Sequence, residues 1–160
     1  MLSDAEYLKS LPRKHIGCAA LFFNEKDELL IVKPNYKSGW LVPGGVIDAL
    51  ESPYAACVRE IKEEIGLDIS HLVFLGVGYS KDPAREGIPS YDSIHFTFLG
   101  GTLTREQIAN IVLQKSELDE YKFCPRDEAL SLLRPKLSAR VRAAFDAMAR
   151  GVPVYTENEK

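Results

Sequence analysis

The sequence predicts an α+β domain, an α/β/α sandwich around a mixed central sheet. Three observations carry that expectation. Short, nearly continuous apolar runs of strand length alternate with amphipathic segments of helical period. The alternation is not the regular strand–helix–strand of a parallel fold. The chain has 160 residues, 46% hydrophobic and 27% charged, which suits one globular domain with a real core.

Taken in order, the first 12 residues read as a tail, residues 13–150 as the domain and residues 151–160 as a second tail. IGCAALFF, from Ile16 to Phe23, and ELLIVK, from Glu28 to Lys33, flank a polar turn and predict a hairpin of two buried strands. Trp40–Val42 is a short extended piece before Pro43-Gly44-Gly45. Ser52-Pro53 is a cap followed by proline at the first helical position, and Gly66 is a stop, so a helix is expected between them. Leu72–Tyr79 and Ser93–Leu99 read as strands around a long polar loop, KDPAREGIPSYD, of the size of a lid or binding loop. Thr104-Arg105-Glu106-Gln107 resembles a capping box. A strand over Glu120–Cys124 and a helix from Arg126 follow. Last comes a helix over Lys136–Arg150 with Leu137, Val141, Ala144, Phe145 and Met148 on one face.

Composition excludes some functions. A net charge of −3, from 20 basic and 23 acidic residues, gives no electrostatic case for general nucleic-acid binding. No apolar run reaches membrane-spanning length, and the N-terminus lacks a secretory core. Cys18, Cys57 and Cys124 are odd in number and scattered, which supports neither disulfides nor structural zinc and makes the cytoplasm the expected compartment.

The chemistry concentrates in the helix after Ser52. On a helical wheel Glu60, Glu63 and Glu64 share an arc of about 100°, beside the apolar stripe of Tyr54, Cys57, Val58, Ile61 and Ile65. Like charges three and four apart repel, and acids late in a helix oppose its dipole. A hard divalent cation removes both penalties, because Mg²⁺ is held by a few carboxylates with waters and substrate phosphates.

The spacing of Gly45, Glu51, Arg59-Glu60-Ile61, Glu63-Glu64 and Gly66-Leu67 follows Gx5Ex7REUxEExGU, where U is aliphatic, at every specified position. This resembles the signature of the Nudix hydrolases. The motif covers 23 residues, and weaker similarity runs over roughly residues 13–145. The resemblance implies metal-dependent hydrolysis, with Mg²⁺ or Mn²⁺, of a nucleoside diphosphate linked to another moiety, in the nucleotide or nucleotide-sugar class. It assigns Glu60, Glu63 and Glu64 as metal-facing acids, with the carbonyl of Gly44 as a backbone ligand. It counts Arg59 with the catalytic set, orienting the acids by ion pairing with Glu51 as its partner. Gly45, Glu51 and Gly66 are then structural positions. The base is left open among Glu60, Glu63 and, as a further candidate, Glu117, and homodimers are a common state of such proteins.

Substrate contacts are sought among Tyr36, Lys37 and Trp40 before the Pro-Gly-Gly turn, and among Tyr79, Lys81, Arg85 and Tyr91 around the long loop. His95, in mid-strand, reads as a packed histidine. Two other functions are weighed against hydrolysis. A non-catalytic ligand-sensing domain would lose acids that this chain retains. An isoprenyl diphosphate isomerase-type enzyme would need a catalytic cysteine, whereas Cys57 falls on the apolar side of the helix. Between Gly44 and Asp68 there are six acids and two bases, so the mild overall charge conceals one concentrated acidic segment in a nearly neutral chain.

Overall fold

Alternation along the first two strands decides the layering. In β1 (His15–Phe23), Ala20 and Phe22 face one side of the sheet, and Leu21 and Phe23 the other. In β2 (Leu29–Pro34), Leu30 and Val32 join the first set, and Leu29 and Ile31 the second. Both strands are therefore central and apolar on both faces, as their continuous runs predict. The computed structural model describes residues 3–84 and 86–158.

The remaining elements cover those two faces. In chain order they are α1 (Asp4–Ser10), before β1, then α2 (Pro53–Ile65), β3 (Val73–Asp82) and β4 (Tyr91–Thr102). They continue with α3 (Arg105–Ala109), β5 (Leu118–Cys124), α4 (Arg126–Leu132), α5 (Pro135–Arg150) and β6 (Val154–Asn158). One six-stranded sheet runs β5-β2-β1-β4-β3-β6. β1 pairs parallel with β4 and β3 parallel with β6, while the other three pairings are antiparallel, so the sheet is mixed. α2 seals one face with Ala56, Cys57, Ile61 and Ile65. α4 and α5 seal the other with Ala129, Val141, Ala144 and Ala147. The result is the expected α/β/α sandwich.

Three segments depart from the sequence reading. Residues 151–160 do not form a simple tail, because Val154–Asn158 adds to the sheet as edge strand β6. Gly151 ends α5 in the left-handed region, φ 67°, and turns the chain back. Gly76 opens the way, since a Cβ there would lie 2.3 Å from the Val154 carbonyl oxygen. The long loop is shorter than expected, because β3 and β4 continue through the pairs Lys81↔Asp92 and Asp82↔Tyr91 and leave residues 83–90 as the connection. The N-terminal tail contains α1, closed by a Ser3–Glu6 capping box and burying nothing. Among the described residues no helix is long and apolar enough to cross a membrane.

Candidate active site

α2 is built as its sequence predicts. The Ser52 hydroxyl accepts from the Ala55 amide at 3.1 Å, Pro53 opens the helix, and Gly66 closes it at φ 76°. Its apolar stripe docks on β1, which fixes the rotation of the helix and turns its acids toward the loop before it.

That loop fits only with glycine. At Gly44, φ is 143°, and a Cβ would stand 2.2 Å from the Cys18 carbonyl oxygen. At Gly45 a Cβ would stand 2.3 Å from the Glu60 carboxyl carbon, so the missing side chain is the space Glu60 occupies. The loop's carbonyls are used alternately. Those of Pro43 and Gly45 accept from the Ala20 and Cys18 amides, while that of Gly44 accepts no hydrogen bond among the described residues.

The acids divide by environment. Glu64 is 5% exposed and accepts from the Gly44 amide at 2.7 Å. Burial pushes its carboxyl up to about 8; the Gly44 amide opposes the shift, and the charges of Glu60 and Glu117 add to it. Glu60 is also raised, first by burial, with Arg59 pulling the other way. Glu63 is half-exposed and meets Arg59 at 3.1 Å. Glu117, exposed just ahead of β5, is brought into this group, since its charge raises both Glu60 and Glu64.

Arg59 organises the cluster. Its Nε and Nη2 donate to the two carboxylate oxygens of Glu51 at 2.9 and 2.8 Å, a bidentate pair across the loop–helix junction. Nη1 donates to Glu60 at 2.8 Å and to Glu63 at 3.1 Å, and Nη2 also reaches the Val46 carbonyl at 3.1 Å. The guanidinium holds the Glu51 carboxyl below its ordinary range, and Glu51 in turn keeps Arg59 firmly protonated. With Glu60 and Glu63 drawn onto Arg59, no three His, Cys, Asp or Glu side chains among the described residues converge as a metal site. The donor set nevertheless suits a hard cation. It consists of carboxylate oxygens and one free backbone carbonyl, and includes a buried acid whose only hydrogen bond is to an amide.

The expected substrate contacts separate. Tyr36 and Lys37 lie within electrostatic reach of the acids: burial raises the Tyr36 hydroxyl, with Glu64 and Glu117 adding to it, while burial and the neighbouring Arg134 pull the Lys37 ammonium down against the charge of Glu64. Trp40 does not join them. Its indole packs on the core layer under α4 and α5, with Lys122 and Lys33 ammonium groups 5.1 and 5.9 Å from its ring centroid. Trp40 is apolar enough to seal that layer, and the cations of β2 and β5 cover what remains. Lys81, with Tyr79 and Tyr91, lines an outer cavity of about 590 Å³ formed by β3 and β4. Arg85 lies outside the described residues. His95 is half-buried, as expected of a packed histidine, with Nε2 3.1 Å from the Ser93 hydroxyl.

A second cavity, about 520 Å³, opens between the sheet and the start of α5. Lys37 lines it, and so do Arg134, Lys136 and Arg140, which sequence reasoning did not select. Arg140 belongs to the polar face of an amphipathic helix, and only the packing of α5 over β3 reveals where its side chain lies.

Fold and site together define a sandwich domain with a helix-borne acidic centre beside a Gly-Gly loop. The chain matches the NUDIX domain over residues 13–147, and it belongs to the Nudix family. Over 69 residues it is 33% identical to the mRNA-decapping enzyme subunit 2 of Saccharomyces cerevisiae, covering 43% of this chain and 7% of that one. Over 71 residues it is 34% identical to Diphosphoinositol polyphosphate phosphohydrolase 2 of Mus musculus, covering 44% and 40% respectively. The chain thus spans less than half the length of these curated relatives. The crystal structure of the MutT protein from Methanosarcina mazei Go1 superposes with a TM-score of 0.62 at 25% identity, covering 89% of this chain and 98% of that one.

Proposed function

We propose that this chain is a diphosphohydrolase, dependent on Mg²⁺ or Mn²⁺, that cleaves a diphosphate linkage in a nucleoside diphosphate joined to another moiety. The observation that carries the reading is Glu64, a buried acid that feels the charges of Glu60 and Glu117. Such a group destabilises the fold when ionised unless a cation offsets it. Glu60, Glu64 and the Gly44 carbonyl would hold the ion, with Glu63 at the exposed rim. The chemistry such an ion would supply there is neutralisation of the diphosphate's charge and a lowered pKa for water, so that hydroxide is available at neutral pH.

The rest falls to the chain's own residues. Arg59, anchored by Glu51, fixes the side chains of Glu60 and Glu63 and keeps the acids from spreading apart. Gly45 leaves the space in which Glu60 sits. The attacking water's proton would go to Glu117, which is exposed and lies outside the Arg59 pairs, or to Glu63, whose exposed carboxylate also meets Arg59; Glu64 is committed to the Gly44 amide. Lys37 stands beside the acids as a cation for a phosphate oxygen.

Cys57 is completely buried, and the neighbouring Cys18 and burial push its thiol far up, which disfavours an isomerase using it as a catalytic acid. Retention of every motif acid supports catalysis over ligand sensing. Nucleotides, nucleotide sugars, dinucleoside polyphosphates and ADP-ribose, assayed with Mg²⁺ or Mn²⁺, test the reading. Cleavage of a diphosphate link that is abolished in the Glu60→Gln, Glu64→Gln double variant is expected. Absence of any cleavage, or equal cleavage by the double variant, overturns it.

A further inference from the structure

The cavity between the sheet and α5 has a chemistry of its own. Its lining carries four cationic side chains, Lys37, Arg134, Lys136 and Arg140, against one carboxylate, Asp82. That carboxylate is already taken, because Lys136 Nζ donates to it at 2.9 Å. Arg140 is largely buried and makes no hydrogen bond or ion pair among the described residues; the charge of Asp82 reaches it but does not offset the cost of its burial. Its stem lies over Gly78 of β3, where a Cβ would come within 2.8 Å of the Arg140 Cδ, so the absent side chain seats the arginine in the cleft. Beside it Ser80, only 1% exposed, has a hydroxyl with no partner.

The helix end agrees. α5 begins at this cavity, at Pro135, with no side-chain cap and no acid in its first turn. Arg134 and Lys136 stand there instead, against the helix dipole. The uncapped helix N-terminus, the desolvated Arg140 and the unsatisfied Ser80 hydroxyl can all be satisfied by one partner, an anion, while Arg134 and Lys136, engaged with the Ser38 carbonyl and Asp82, add positive charge at the rim. A neutral ring would leave the charge of Arg140 and of the helix N-terminus unmatched.

We infer that this cleft holds a phosphate monoester carried by the substrate on the moiety beyond the cleaved diphosphate, with Arg140 as its principal ligand. The inference rests on the diphosphohydrolase reading for the identity of the substrate, but not for the binding. Lys37 joins the two regions, since it lines the cleft and also lies within electrostatic reach of Glu64. The substrate would therefore lie with its diphosphate against the acids and its second phosphate against Arg140.

Binding and turnover test this separately. For binding, myo-inositol hexakisphosphate is titrated calorimetrically into the protein in EDTA, since its phosphates surround the ring and no position need be assumed. Arg140→Gln is expected to weaken binding at least tenfold, and Arg140→Lys by less. Arg142→Gln, a change of equal charge at an exposed position of α5, is expected to leave binding within about twofold. Equal losses in Arg140→Gln and Arg142→Gln, or none in either, overturn the inference. For turnover, ADP-ribose 1″-phosphate, which bears a free monoester on the moiety beyond the diphosphate, is compared with ADP-ribose, which bears none. Arg140→Gln should raise KM for the first at least tenfold and leave KM for the second nearly unchanged, with kcat retained for both. An equal rise for both overturns the assignment of a monoester. If binding behaves as expected but no diphosphate is cleaved, the hydrolase reading falls and the anion site stands.

Discussion

α2 and α5 follow one plan and carry opposite charge. Each begins with proline, packs an apolar stripe on one face of the sheet and ends at a left-handed glycine, Gly66 or Gly151. α2 places Glu60, Glu63 and Glu64 in its C-terminal half, where the helix dipole disfavours acids. α5 places Arg134 and Lys136 at its N-terminus, where the dipole disfavours bases. Each region also holds a titratable group that resists its charged form. Burial pushes Glu64 up to about 8, and burial, with Arg140 and His15, pulls His95 down to about 4. The contrast teaches that one helical plan can set charge against its dipole at either end, with acids late in α2 and bases at the start of α5.

Removing the acid breaks the comparison most severely. Glu64→Gln should lower kcat/KM by about a thousandfold, roughly 4 kcal/mol of transition-state stabilisation, in steady-state assays with Mg²⁺. Ile61→Ala attacks the packing that seats α2 without touching an acid, and the completely buried position predicts a loss of about 3 kcal/mol in chemical denaturation.

His95 sharpens the other half. Its folded pKa lies below the unfolded value of 6.5, so its stabilising contribution is complete above pH 6.5 and lost as pH falls through about 4. Denaturation curves across that window should show His95→Asn losing about 2 kcal/mol less than the parent chain. Gly45→Ala, whose Cβ would meet Glu60, should reduce turnover about tenfold while the melting temperature moves by only a few degrees.

The two regions were not equally legible in the sequence. The acidic site was nearly all present, because its residues lie on one helix and the loop before it, at fixed spacing. The pairing of Arg59 with Glu51 follows from the family resemblance, and the glycine stop at Gly66 from local rules. The sandwich followed from the continuous apolar runs of β1 and β2. The cationic cleft was not legible, because Lys37, Ser80 and Arg140 come from a loop, a strand and a helix far apart in the chain. Arg140 looks like any solvated residue until α5 is laid over Gly78. Trp40 is ambiguous for the complementary reason, since an aromatic near a Gly-Gly loop serves a binding wall or a core equally well. β6 escaped notice because five residues of mixed polarity acquire strand character only from the edge they join.

Titration of the parent protein and Glu64→Gln with Mn²⁺, following the free ion by electron paramagnetic resonance, decides whether the buried acid of α2 holds a divalent cation. Saturable binding by the parent is expected, weakened at least tenfold by Glu64→Gln and unaffected by Arg140→Gln. Equal Mn²⁺ affinity in the parent and Glu64→Gln would contradict it.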